Sequence, residues 1–260
     1  MRTLIATLLW IGISGAYGQG NIHTAGEGGV FTQNRLAALK TGEGGLGNNP
    51  QTMNLFSDMR LKLAKMGEEV KLGLDDIDGT IYLDPEFQLG TLYYEGEAFK
   101  KLDLRYDAYN DEFEVKDSGT SGTVQALVKY SKLSCTLGGD QFLYTRYLDG
   151  DNNEAEGYLS VVYSGPLFTL YQRDYKLFKE GKPAKTSLGT SFPHRFVDET
   201  DYYMATENED PVYLKTKKTV VSKAFGGERV DKINAFIKDR RIDLGQKEDL
   251  KSLFIFANTL

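Results

Sequence analysis

The sequence predicts a mainly β fold (α+β): an antiparallel meander forming a barrel, half-barrel or sandwich, with two or three C-terminal helices packed on it. Three observations predict this. From Asp78 onward, apolar residues recur at every second position in short runs. Tight-turn residues separate the runs: Asp84-Pro85, Glu95-Gly96, Gly138-Gly139-Asp140, Asp149-Gly150-Asp151 and Gly165-Pro166. Tyr (16) and Phe (14) are abundant, and both suit a half-buried pleated surface. From residue 216 on, the period changes to that of a helix.

Taken in order, residues 1–18 read as a secretory signal peptide. Arg2 is followed by the apolar run Leu4–Ile13 and the small-residue site Ala16-Tyr17-Gly18. The run falls short of the ~20 residues that span a bilayer. Cleavage removes Arg2 and takes the formal net charge from −6 to −7. That mild acidity argues against a nucleic-acid partner, which needs a basic face. No transmembrane segment is expected after signal cleavage. Residues 19–50 form a Gly-rich arm, expected to be flexible or irregular, with one or two helical turns over Thr32–Lys40. Residues 51–260 are expected to form one β-rich domain, helical over 216–260.

Within that domain, strands are expected near Ile81–Leu83, Thr91–Tyr94, Lys101–Tyr109, Glu112–Val115, Thr123–Tyr130, Lys132–Leu137, Gln141–Leu148, Tyr158–Tyr163 and Leu167–Tyr175. Shorter ones are expected near Phe192–Phe196, Tyr202–Ala205 and Val212–Leu214. The clearest is the hairpin Lys101–Lys116. Leu102, Leu104, Tyr106 and Ala108 share one face, and Phe113 and Val115 resume it after a turn at Asn110-Asp111. Lys101, Asp103, Arg105 and Asp107 share the other face, which reads as solvated and self-neutralising. Helices are expected over Lys217–Phe225, Glu228–Arg240 and Gln246–Asn258, with buried stripes Val230/Ile233/Ile237 and Leu250/Leu253/Phe254/Ala257.

Motifs that could carry chemistry are local matches whose context fails. Asp76-Ile77-Asp78-Gly79-Thr80 matches the phosphatase signature of the haloacid-dehalogenase type, but hairpins follow it where a doubly wound α/β domain is required. It reads as an acidic turn. Asp117-Ser118-Gly119-Thr120-Ser121 matches the aspartic-protease loop, which needs two Asp sharing a proton. One copy is present, so only a dimer could use Asp117. Asp149–Glu154 resembles the start of a Ca²⁺ loop but lacks the required Gly and the closing Glu, so it reads as a hairpin tip. Cys135, the single cysteine, reads as a buried inert thiol. His23 and His194 are isolated, and Lys215, Lys217 and Lys218 read as a solvated helix start. No cofactor or metal site is expected, and no catalytic residue outside the Asp117 alternative.

Tyr82-Leu-Asp-Pro85, Gly90-Thr-Leu92, Leu104–Val115, Leu170-Tyr171 and Asp201-Tyr202-Tyr203 resemble a group of uncharacterised exported β-rich proteins of Bacteroidota. The resemblance covers residues 78–260. It implies a Gram-negative envelope location: the periplasm or the periplasmic face of the outer membrane, with an extracellular location as the alternative. It supplies no catalytic residues. The expected function is a non-enzymatic binding or scaffolding module for an envelope protein partner or an amphiphilic ligand. The alternative is a dimeric aspartic-type hydrolase using the Asp117-Ser118-Gly119 loop.

Overall fold

In the computed structural model, residues 32–33, 77–116, 124–181, 192–207 and 209–260 are described. Eleven strands follow one another: β1 Thr32–Gln33, β2 Gln88–Tyr94, β3 Glu97–Asp107, β4 Glu112–Lys116, β5 Val124–Leu127, β6 Leu133–Leu137, β7 Asp140–Leu148, β8 Glu154–Ser164, β9 Phe168–Lys179, β10 Arg195–Thr206 and β11 Val212–Tyr213. Three helices end the chain: α1 Lys218–Ala224, α2 Val230–Arg240 and α3 Lys247–Ala257. The expected mainly β class holds.

The strands form one sheet in the order β1-β5-β4-β3-β2-β6-β7-β11-β10-β9-β8, and β7 pairs β8 as well. Five strands therefore form a ring of pairings, β7–β8–β9–β10–β11. The ring closes through one parallel pair, Val212↔Leu148, and the Leu148 N–H donating to Pro211 O at 2.8 Å. All other strand pairs are antiparallel. Strands β6, β2, β3, β4, β5 and β1 continue the sheet from the edge of β7 that also carries β11, β6 pairing with Asp140–Leu143 and β11 with Leu148.

Alternation separates the two faces of the ring strands, except at a register shift in β8 between Val161 and Tyr163, where Val162 and Tyr163 both pack toward the helices. On the outer face, Val162, Phe168, Leu170, Tyr202, Met204 and Leu214 join Val221, Phe225, Ile233, Ile237, Leu250, Leu253, Phe254 and Ala257 in the main core. The stripes read from the helix period pack, apart from Val230, which is only half-buried: Ile233 and Ile237 of α2, and Leu250, Leu253, Phe254 and Ala257 of α3, are buried. These helices are too short to persist alone, so the sheet holds them. Asn258 fastens the end of α3. Its Oδ1 accepts the N–H groups of Leu167 (2.8 Å) and Phe168 (3.0 Å), and its Nδ2 donates to Phe168 O (3.0 Å) and Phe254 O (2.8 Å). Gly165 makes room, because a Cβ there would lie 2.4 Å from the Asn258 side chain.

Several local expectations are corrected. Arg195, Phe196 and Tyr202–Ala205 belong to a single element, since β10 runs unbroken from Arg195 to Thr206, with Phe192–His194 lying before it. The polar run Asp198–Asp201 hid it. Its side chains form a cross-strand ladder with β9: Lys176 pairs with Asp198, Lys179 with Glu199 (3.6 Å), and Thr200 Oγ1 donates to Asp174 (2.6 Å). Ile81–Leu83 is a strap held by single bridges rather than a strand. Thr32 and Gln33, read as the start of helical turns, pair instead with Leu127 and Ala126 of β5. A sheet edge left with free N–H and C=O groups favours such pairing.

The largest correction concerns the polar face of the β3–β4 hairpin. The register is as read from the sequence, with Leu104 opposite Val115 and Tyr106 opposite Phe113. The Arg105–Asp107 end of the face expected to be solvated is covered by the strap 77–87, while Lys101 is exposed as expected. Arg105 lies over the Tyr82 ring at 3.6 Å and the Phe87 ring at 4.3 Å. Its guanidinium donates to Glu114 Oε2 (2.6 and 3.2 Å), to Pro85 O (2.9 Å) and to Tyr82 Oη (2.9 Å). Glu114 and Asp107 are each 3% exposed. Neutralisation comes from Glu114 across the hairpin, not from the neighbouring Asp103 and Asp107.

Candidate functional site: the mouth of the strand ring

The inner face of the ring is built by all five of its strands. Tyr147 of β7, Leu159 and Ala155 of β8, Tyr171 of β9, Tyr203 of β10 and Tyr213 of β11 form one cluster. Tyr147 and Tyr203 meet edge to face at 4.9 Å, and Tyr203 and Tyr213 at 5.9 Å. Leu159 and Tyr203 are at most 1% exposed, so the centre of the ring is filled.

The ring opens where β8 and β9 part. They pair only over Ser160–Ser164 and Thr169–Gln172. Beyond that point, the tip of the β3–β4 hairpin enters the gap. Ala108 O accepts the Lys176 N–H of β9 (3.0 Å), and the Asp111 carboxylate accepts the Tyr158 N–H of β8 (3.2 Å). Asp111 also accepts the hydroxyl proton of buried Tyr106 at 2.6 Å. Asp111 reaches this position from a left-handed conformation (φ 54°) that Asp tolerates in a tight turn. Gly157 lets it approach, since a Cβ there would stand 2.4 Å from Asp111 Oδ2.

At this mouth stands Arg173 of β9, two residues beyond Tyr171 on the inward face. Its guanidinium carbon lies 4.9 Å from the centre of the Tyr175 ring and 5.8 Å from that of Tyr147. It is half-buried, and its Nε is fully buried with no hydrogen-bond partner among the described residues. Asp201 is its cross-strand neighbour. Burial lowers the guanidinium's hold on its proton, but Tyr147, Asp111, Tyr106 and Tyr203 raise it more, so Arg173 stays charged. Asp201 is pushed above the usual carboxylate range chiefly by burial. Burial likewise raises the Tyr203 phenol. The mouth is thus a tyrosine-walled setting with one cation, two carboxylates and no internal ion pair for the cation.

The motifs singled out in the sequence lie elsewhere. The Asp117–Ser121 loop, Asp76 and His23 lie outside the described residues. Asp78 is held by backbone bonds in the strap, accepting from Phe196 N–H (2.8 Å) and donating to His194 O (2.9 Å). Asp149 binds its own turn, accepting the N–H groups of Asp151 (2.9 Å) and Asn153 (2.8 Å), bonds that lower its pKa. Cys135 is fully buried in β6, and burial raises its thiol far from a reactive state. His194 stacks on Phe178 and accepts the Gly181 N–H at 3.0 Å. Lys215, Lys217 and Lys218 are exposed at the start of α1. Among the described residues, no group of three or more His, Cys, Asp and Glu side chains forms a metal site. No helix of the described residues is long and apolar enough to cross a membrane.

Neither Arg173 nor Asp111 was singled out as a site residue. The available signal was Tyr171-x-Arg173-x-Tyr175, three residues on one strand face with a charge in the middle. No protein-family model matches the chain, and neither does any curated protein or solved structure. The class is defined by the fold alone: a mainly β protein in which a small strand ring is backed by three helices.

Proposed function

We propose that this chain is an exported binding module and that the mouth of the strand ring is its recognition surface. The observation that carries the reading is Arg173. Half-burying a guanidinium without an acceptor is unfavourable, and the expected remedy is a bound partner. Tyrosine walls suit that role, since each ring offers an apolar body and a polar tip at small conformational cost. Leu159 and Tyr203 fill the ring centre, which favours a partner or ligand seated at the rim over a lipid carried inside. The signal-peptide pattern of residues 1–18 supports export, and the resemblance of residues 78–260 supports an envelope location.

The test is site-specific photo-crosslinking of the full chain in its own cells. A photoreactive phenylalanine analogue placed at Tyr175 should give a discrete adduct. The same analogue at exposed Ile255 of α3, on the helical layer, should not. Equal adducts from both positions, or none from Tyr175, would defeat the reading.

A further inference from the structure

We infer that the mouth takes a carboxylate monoanion, bound in the fork of Arg173 with an attached flat apolar group against Tyr175; this rests on the reading of the mouth as the recognition surface. Four observations support it. The described residues give Arg173 neither hydrogen bond nor ion pair, and its terminal nitrogens, unlike Nε, are not among the buried atoms without a partner. A guanidinium presents donors in a planar fork that matches a carboxylate. The half-buried Tyr175 ring, at 4.9 Å, flanks that fork and offers flat surface beside it, and the buried Tyr147 ring backs it at 5.8 Å. The charge balance selects the anion. Asp111 and Asp201 both act on this region, and Glu199, bridged to Lys179, lies across from Tyr175, so among the described residues the carboxylates outnumber the Arg173 cation. A phosphate dianion would face twice the repulsion of a carboxylate with no second cation to offset it.

Asp111 holds the Tyr106 hydroxyl and the Tyr158 N–H and makes no hydrogen bond to Arg173. Asp201, directly across the strand pair, makes no hydrogen bond or ion pair with Arg173. The carboxylate could belong to a small aromatic acid or to the C-terminus of a peptide, and the chemistry at Arg173 is the same.

The experiment is titration of the full chain, followed by amide chemical shifts. The probes are 3-phenylpropionate, 3-phenylpropanamide, phenyl phosphate, and a short Phe-ending peptide with a free or an amidated C-terminus. A fragment of this size should bind with a Kd of roughly 1 mM. The propionate is expected to shift amides at Tyr147, Arg173 and Tyr175, with the amide and the phosphate at least tenfold weaker. Arg173→Gln should lose at least tenfold, and Arg173→Lys should recover part of it. Tighter binding of the free than of the amidated peptide assigns the peptide source. Equal binding of the two peptides alongside propionate binding assigns the small acid. Equal binding of propionate and propanamide, equal or tighter binding of the phosphate, or unchanged binding by Arg173→Gln would overturn the inference. Crosslinking at Tyr175 with no carboxylate binding would sink this inference and leave the binding-module reading standing. Failure of both would remove both.

Discussion

Leu170 and Tyr171 are consecutive in β9 and point to opposite sides of the sheet. Leu170 enters the core with Val221, Ile233, Leu250 and Phe254. Tyr171 packs against the cluster of Tyr147, Leu159 and Tyr203. The same division recurs at Tyr202 and Tyr203 of β10. The helix-covered side is mostly aliphatic and phenyl, and its interactions are burial. The mouth side carries rings with polar tips, a cation and two carboxylates, and its interactions are directional. Burial is additive and non-specific, whereas a half-buried charge is costly until it is matched. Stability should therefore reside mainly on the helix side and recognition on the mouth side. The hairpin tip that frames the mouth is a third case, polar but internally satisfied.

The largest expected effect comes from breaking the helix side. Phe254 is fully buried and meets the Phe225 ring edge to face at 5.0 Å. Phe254→Ala should cost about 3–5 kcal/mol, from lost transfer free energy and the cavity left behind. Urea unfolding monitored by circular dichroism measures it. A loss under about 1 kcal/mol would mean the helices contribute little.

Next is the satisfied polar pair at the hairpin. Glu114→Ala leaves Arg105 enclosed by Tyr82, Phe87 and the strap without its carboxylate. The expected cost is on the order of 3 kcal/mol, because removing one partner strands the other charge. The double variant Glu114→Ala/Arg105→Leu should regain much of that loss in the same assay. A double variant as unstable as the sum of the single ones would show that the pair is not a unit.

A smaller effect sharpens the comparison by pH. Asp107 accepts three hydrogen bonds in its own turn, from Tyr109 N–H, Asn110 N–H and Asn110 Nδ2. Burial outweighs them and raises its carboxyl to about 6. The native chain therefore holds this proton more tightly than the unfolded chain, where the value is about 3.9. The associated stability is fully present below about pH 4 and is lost as pH rises through about 6. It amounts to roughly 2–3 kcal/mol. Asp107→Asn should flatten the wild-type stability curve across that window. Identical curves for the two proteins would refute the assignment.

The legible and the hidden parts of this molecule differ in kind. The hairpin register, the helix stripes and most strands follow from local period, which the sequence displays directly. The cover on Arg105 and Glu114 comes from the strap 77–87, in which Ile81–Leu83 read as one more short strand. Nothing within the hairpin announces that burial. In β10, charged residues that looked like a break are a ladder whose partners lie on β9. The Tyr171-x-Arg173-x-Tyr175 face was readable, but its enclosure depends on β11 returning to β7 and on Asp111 arriving from the distant hairpin. A two-residue strand and a single turn aspartate carry little signal of such placement.

The most direct measurement pairs stability with binding in Arg173→Met. The substitution keeps bulk along the tyrosine walls and removes an unpaired half-buried charge. Unfolding free energy should stay within about 1 kcal/mol of wild type or rise, while the 3-phenylpropionate shifts at Tyr147 and Tyr175 disappear. A loss of more than about 2 kcal/mol, with those shifts retained, would contradict the division of labour between the two faces.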